Sequence, residues 1–245
     1  MRVEKGLLKR LFAVSLALLA AFLSIGGIPQ IVLSQTRSVL ASTFSAERAI
    51  IATSPRKPEN SPFSDVKSHW AQAYIDELAA RKIIVGYSDG KYRPDQPVRR
   101  DEFASIISKA FSTGSNRPGI IFSDVPKTLK KYWAYDSIQD AYQKGFLDGY
   151  PDGSFKPDSN IKKVDAIVSL VNGLNLVPSS TISLFDYYED TNNIPDYALK
   201  AVAAATEKQM IANYPDFKKF NPEKLATRAE IAVFVYEALV QKGII

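Results

Sequence analysis

Gly149-Tyr150-Pro151-Asp152-Gly153-Ser154-Phe155-Lys156-Pro157, with Ile161-Lys162-Lys163-Val164-Asp165 just beyond it, decides the architecture because it occurs three times. Upstream it reads Gly86-Tyr87-Ser88-Asp89-Gly90-Lys91-Tyr92-Arg93-Pro94, then Val98-Arg99-Arg100-Asp101-Glu102. Downstream it reads Asn213-Tyr214-Pro215-Asp216-Phe217-Lys218-Lys219-Phe220-Asn221-Pro222, then Ala226-Thr227-Arg228-Ala229-Glu230. The steps are 63 and 64 residues. A fixed period of this kind means one supersecondary unit repeated. We place the units at 61–117, 118–182 and 183–245.

Working outward, each unit opens on an acidic motif and an aromatic residue: Phe63-Ser64-Asp65-Val66 with His69-Trp70, Phe122-Ser123-Asp124-Val125 with Tyr132-Trp133, and Tyr188-Glu189-Asp190 with Asp196-Tyr197. A helix follows the aromatic. Ala71, Tyr74, Ile75 and Leu78 lie at helical spacing, as do Ala134, Ser137, Ile138, Ala141 and Ala198, Ala201, Val202, Ala205. The turn then uses glycine for positive φ and Asp for local backbone hydrogen bonds. Asn213 replaces the first glycine of the third unit, and Asn tolerates the left-handed region. Pro94, Pro157 and Pro222 are expected to hold the chain extended before a second helix. That helix carries Phe103, Ile106, Ile107, Ala110 and their counterparts Ala166, Ser169, Leu170, Gly173 and Ile231, Phe234, Val235, Ala238. Thr227-Arg228-Ala229-Glu230 is a capping box; Arg99 and Lys162 stand at the same cap position and cap less well. The fold class is therefore all-α, three tandem helix-loop-helix repeats.

Ahead of the repeats, Arg2, Lys5, Lys9 and Arg10 precede the apolar run Leu11–Ile25, the layout of a secretory signal. Small-residue cleavage positions follow Ser34 and Ala41. The alternative for 1–41 is an uncleaved anchor, with residues 7–33 in contact with a membrane. Residues 42–60, rich in Ser, Thr and Pro, read as a linker. The chain carries +5 overall, but residues 1–41 hold five Lys/Arg against one acid, leaving +1 for the rest. A nucleic-acid partner, which needs a basic face on the folded part, loses its support.

Three residues of one sign stand in an odd place. Arg100, Lys163 and Arg228 occupy the first position of the second helix, where the dipole disfavours a cation by several tenths of a kcal/mol. One explanation is a salt bridge to the acid three positions into the helix, or to Asp65, Asp124 or Asp190. The other is an anion site, in which free helix N–H groups and the side-chain charge converge on an external ligand. Three such sites imply a repetitive acidic polymer. Trp70, Trp133 and Tyr197 fit sugar stacking, or alternatively a core role fixing the first helix.

These motifs together resemble the S-layer homology domain in its usual set of three. The resemblance covers about Ser61 to Ile245. It implies a pseudo-threefold helical assembly whose inter-repeat grooves bind anionic, often pyruvylated, polysaccharide attached to peptidoglycan. Carried over, the groove residues are Arg100, Lys163 and Arg228, the aromatics Trp70, Trp133 and Tyr197, and the turn glycines Gly86 and Gly149, with Arg99 and Lys162 doubling the charge in two repeats. Only the third repeat has the full Thr-Arg-Ala-Glu, and it lacks the tryptophan and both turn glycines, so the three grooves are expected to differ.

Other chemistry finds little footing. Asp148-Gly149-Tyr150-Pro151-Asp152-Gly153 imitates part of a calcium loop, but Tyr150 and Ser159 fall where ligands are needed. There is no cysteine, so a disulfide framework, a thiolate metal site and a catalytic thiol are excluded. His69 is the sole histidine and no phosphate-cradling loop occurs, so we expect neither an enzyme nor a cofactor. The expected function is non-covalent attachment of a secreted protein to the cell wall. The alternatives are a tether linking membrane to wall, or an envelope component binding other proteins through the same surface.

Overall fold

The computed structural model describes Pro55 and residues 60–112, 114, 117–125, 133–179 and 182–245. The signal or anchor at 1–41, and the linker at 42–60 apart from Pro55 and Asn60, lie outside the described residues. Among the described residues there are six α-helices and no strand longer than a single bridge. They are α1 (Gln72–Ala80), α2 (Arg100–Ala110), α3 (Tyr135–Gln143), α4 (Lys163–Gly173), α5 (Leu199–Glu207) and α6 (Arg228–Gln241). Short 3-10 turns at Leu184–Asp186, Thr191–Asn193 and Asp196–Ala198 lead into α5.

The helix faces read from the periodicity are the buried ones. Ala71, Ile75 and Leu78 are fully enclosed, as are Ala134, Ile138, Ala141, Ala198, Val202 and Ala205. Ser137 is the member of that set left half-buried. Lys82, Gly145 and Gln209 end the first helices with φ of 59°, 80° and 56°, the left-handed residue that closes a helix.

Packing does not follow the repeats. The second helix of one repeat lies against the first helix of the next: α2 on α3, α4 on α5, and α6 on α1. The last pair closes a ring. Helix α6 also touches α2 and α4, and every residue from Arg228 to Leu239 is buried. It is thus enclosed on all sides rather than on one face. Removing a large apolar surface from water drives this closure, at roughly 25 cal/mol per Å².

At the centre, the segments before the second helices form a closed backbone cycle. Val98 N–H donates to Ala226 C=O (3.0 Å), Ala226 N–H to Ile161 C=O (2.9 Å), and Ile161 N–H to Val98 C=O (2.9 Å). Val98, Ile161 and Ala226 hold equivalent positions in the three repeats, so the cycle is pseudo-threefold.

Each turn is fixed by the acid of its own repeat opening. Asp65 accepts from the Tyr92 and Arg93 amides at 2.8 Å, Asp124 from Phe155 and Lys156 at 2.8 and 2.7 Å, and Asp190 from Phe220 and Asn221 at 2.8 and 2.7 Å. These clamps hold Arg93, Lys156 and Asn221 at φ of 58°, 57° and 53°. The residue before each proline is therefore left-handed rather than extended, as the proline alone would suggest. The carboxylates serve backbone amides and are not the partners of the helix-start cations.

Candidate functional site: the inter-repeat junctions

Arg99, Lys162 and Thr227 are the N-caps of α2, α4 and α6, which puts Arg100, Lys163 and Arg228 at the first helical position as expected. Only Thr227 caps with its side chain, accepting the Glu230 amide at 3.2 Å.

The expectation of free helix amides is corrected. The first two amides of every second helix donate to carbonyls of a neighbouring repeat: Arg100 to Ser159 and Asp101 to Pro157, Lys163 to Lys224 and Val164 to Pro222, Arg228 to Gln96 and Ala229 to Pro94, all within 3.2 Å. The central backbone cycle brings those carbonyls in, so the dipole's positive end meets protein, not an external anion.

The three cations are buried as well, at 8, 2 and 7% exposure for Arg100, Lys163 and Arg228. Arg100 donates through Nε to Phe155 C=O (2.9 Å) and through Nη2 to Asp148 C=O (2.8 Å). Arg228 does the same to Tyr92 C=O and Val85 C=O, each at 2.8 Å. Lys163 Nζ donates to Asn213 Oδ1 (2.7 Å) and to Glu230 Oε1 (3.2 Å). Each reaches the turn of the following repeat, and the third returns to the first. Burial pulls both the Arg100 guanidinium and the Lys163 ammonium below their ordinary pKa, with Glu230 opposing the shift at Lys163. The physical reason for a cation at an unfavourable helix end is thus internal. Fixed carbonyl oxygens and ring faces outweigh the dipole, each charge-assisted bond contributing about 1.5–3 kcal/mol.

Tyrosines of the turns complete the junctions, and the sequence reading passed over them. Tyr150 has the Arg100 guanidinium 5.0 Å from its ring centre and the Lys156 ammonium 4.0 Å away. Tyr87 is flanked likewise by Arg228 at 5.1 Å and Arg93 at 4.0 Å. Tyr214 instead stacks on Trp70, at 5.3 Å and 17°. The available signal was the tyrosine present in all three turns, after Gly86, Gly149 and Asn213.

Trp70 is half-buried and packs on the core. Trp133 and Tyr197 stand 56 and 63% exposed, and the Tyr197 hydroxyl donates to Asp165 at 2.8 Å. Arg99 is held by Asp101 (2.8 Å) and Asp158 (3.3 Å), and Lys162 by Glu223 (2.5 Å); both side chains remain partly open to solvent. Gly86 and Gly149 are needed for close approach, not for positive φ. A Cβ on either would lie 2.4 Å from the ring of Phe63 or Phe122. Within these two turns the left-handed glycines are Gly90 and Gly153. Asn213 is likewise not left-handed; its amide is the Lys163 acceptor. The ten residues therefore divide. Three cations and two glycines hold the junctions together from inside, Trp70 is partly enclosed, and Trp133, Tyr197, Arg99 and Lys162 face outward.

A family model described as the S-layer homology domain matches residues 62–104, 121–167 and 187–232. The exoglucanase XynX of Acetivibrio thermocellus is 30% identical over 181 residues, which is 72% of this chain and 16% of that protein. The cellulosome-anchoring protein of the same organism is 32% identical over 139 residues, 56% of this chain and 31% of that protein. The surface layer protein of Brevibacillus choshinensis is 26% identical over 158 residues, 63% of this chain and 14% of that protein. The chain spans less than a third of the length of each of these relatives.

Proposed function

The chain belongs to the S-layer homology family, and from that premise we propose that it attaches non-covalently to the cell wall by binding anionic polysaccharide linked to peptidoglycan. The observation that carries this reading is a set of exposed rings, of which Tyr197 reaches Asp165 of the preceding repeat and Tyr214 stacks on Trp70 of the first. Trp133, Tyr197 and Tyr214 are each at least half exposed. Rings of that size gain little in water and much from an apolar sugar face. Arg99 and Lys162, at the caps beside the junctions, supply charge that an acidic substituent, a pyruvyl ketal among them, would meet. Arg100, Lys163 and Arg228 enter from behind, setting the spacing and potential of the surface. Relatives named for cellulosome anchoring and for the surface layer support an envelope location.

The test is co-sedimentation with purified sacculi, native or stripped of acidic polysaccharide. Native sacculi should pellet the protein and stripped ones should not. The double variant Trp133→Ala, Tyr197→Ala should lose at least about tenfold in affinity with only a small fall in melting temperature, since neither ring is enclosed and the Tyr197–Asp165 bond lies at the surface. Equal pelleting by the variant would refute the ring surface. Equal pelleting with stripped sacculi would refute the polysaccharide.

A further inference from the structure

We infer that Tyr214 seals the junction between the third and first repeats from within, so that Trp70 takes no sugar and the polymer is held through the junctions that carry Trp133 and Tyr197. The consequence for the polymer rests on the wall-binding reading; the seal itself does not.

The aromatics that precede the first helices are unequal. Trp133 and Tyr197 are 56 and 63% exposed. Trp70 is only partly exposed, and other rings cover it: Tyr214 at 5.3 Å and 17°, and His69 at 5.5 Å and 36°. A ring stacked on an indole takes the place that an apolar sugar face would take. Tyr214 is itself 50% exposed, so it joins the outer surface while closing off the indole behind it. His69 is fixed in turn, its Nδ1 accepting the Ala71 amide at 3.2 Å and its Nε2 lying 3.3 Å from Asp95 Oδ1.

Tyr214 crosses to Trp70 because of the charge of its own turn. Its counterparts Tyr87 and Tyr150 are each met by two cations at 4.0 to 5.1 Å, one from a helix start and one from the residue before the turn's proline. In the third turn the residue before the proline is Asn221, which carries no charge. The helix-start cation is Lys163, whose ammonium goes to Asn213 and Glu230 and lies near the rings of Phe220 and Phe234. A tyrosine ring that is not drawn over cations stacks on the neutral indole across the junction.

The chain has two tryptophans, so Trp133→Phe leaves Trp70 as the single reporter and Trp70→Phe leaves Trp133, with a ring kept at each position. The experiment is acrylamide quenching of each reporter, alone and with acidic polysaccharide released from purified sacculi. Trp133 should be quenched at least about threefold more strongly than Trp70, and the polysaccharide should protect Trp133 and leave Trp70 unchanged. Adding Tyr214→Ala to the Trp70 reporter should raise its quenching about threefold and make it respond to the polysaccharide. Asn221→Lys keeps the tyrosine, and the same left-handed position already holds Lys156 in the second repeat. By drawing the Tyr214 ring back over a cation, it should expose Trp70 in the same way. Equal quenching of the two tryptophans, protection of Trp70 by the polysaccharide while Tyr214 is present, or unchanged quenching of Trp70 in both Tyr214→Ala and Asn221→Lys would each overturn the inference. If the polysaccharide moves neither tryptophan while acrylamide behaves as expected, the seal stands and the wall-binding reading fails.

Discussion

Replacing Arg228 by alanine separates an internal staple from a ligand contact. The guanidinium donates to the fully buried carbonyl of Tyr92 and to the partly buried carbonyl of Val85, and it lies 4.3 Å from the Tyr92 ring centre. Truncation strands the first acceptor completely and the second in part. A charged hydrogen bond to a buried partner contributes about 2–3 kcal/mol and one to a half-open partner about 1–2, so the loss should be about 3–5 kcal/mol. A domain has about 5–15 kcal/mol in total. Equilibrium urea unfolding followed by circular dichroism should show the midpoint lowered by about 1.5–2.5 M at unchanged slope. Arg228→Lys keeps the charge and one of the two carbonyl bonds, and should lose about half as much. A change under about 1 kcal/mol in Arg228→Ala, with loss of sacculus binding, would refute the staple and return this side chain to the ligand.

Three further outcomes follow from the same geometry. Burial pushes the phenols of Tyr92 and Tyr188 above their ordinary pKa of 10.0, so their contribution is complete below that pH and is lost above it as the unfolded chain ionises. The fall is up to about 1.4 kcal/mol per pH unit per tyrosine, with Lys163, whose pKa is lowered, acting in the opposite sense. Tyr188→Phe should flatten the decline of melting temperature between about pH 10 and 11.5, and an unaltered slope would count against the buried phenol. Gly149→Ala sets a methyl group against Phe122 and the Ser154 carbonyl and should cost about 1–3 kcal/mol in urea unfolding, whereas a neutral result would mean the turn can shift freely. A chain ending at Asn175 removes α6 from α1 and breaks the central backbone cycle. It should lack a cooperative thermal transition, and a sharp one would refute the closed ring as the unit of stability.

Much of the local structure is legible from residue spacing. Six helices, their buried faces, the cap positions of Arg99, Lys162 and Thr227, and the Asp89, Asp152 and Asp216 turn bonds all depend on neighbours within a few residues. The departures share one cause, contact with residues far along the chain. Gly86 and Gly149 look like conformational glycines until Phe63 and Phe122 arrive against them. The left-handed residues before Pro94, Pro157 and Pro222 depend on carboxylates 28, 32 and 31 positions away.

The amino-acid sequence by itself determined the period, the all-helical class and the presence of a cation where a helix dipole opposes one, because repetition, hydrophobic spacing and dipole sign are local quantities. Only the tertiary structure decided what that cation is for. Arg228 and its acceptor on Tyr92 are 136 residues apart, and they meet because the third repeat closes onto the first. Helix pairing between repeats, not within them, brings fixed carbonyl oxygens to each helix start, and a buried charge takes the nearest oriented dipoles in place of solvent.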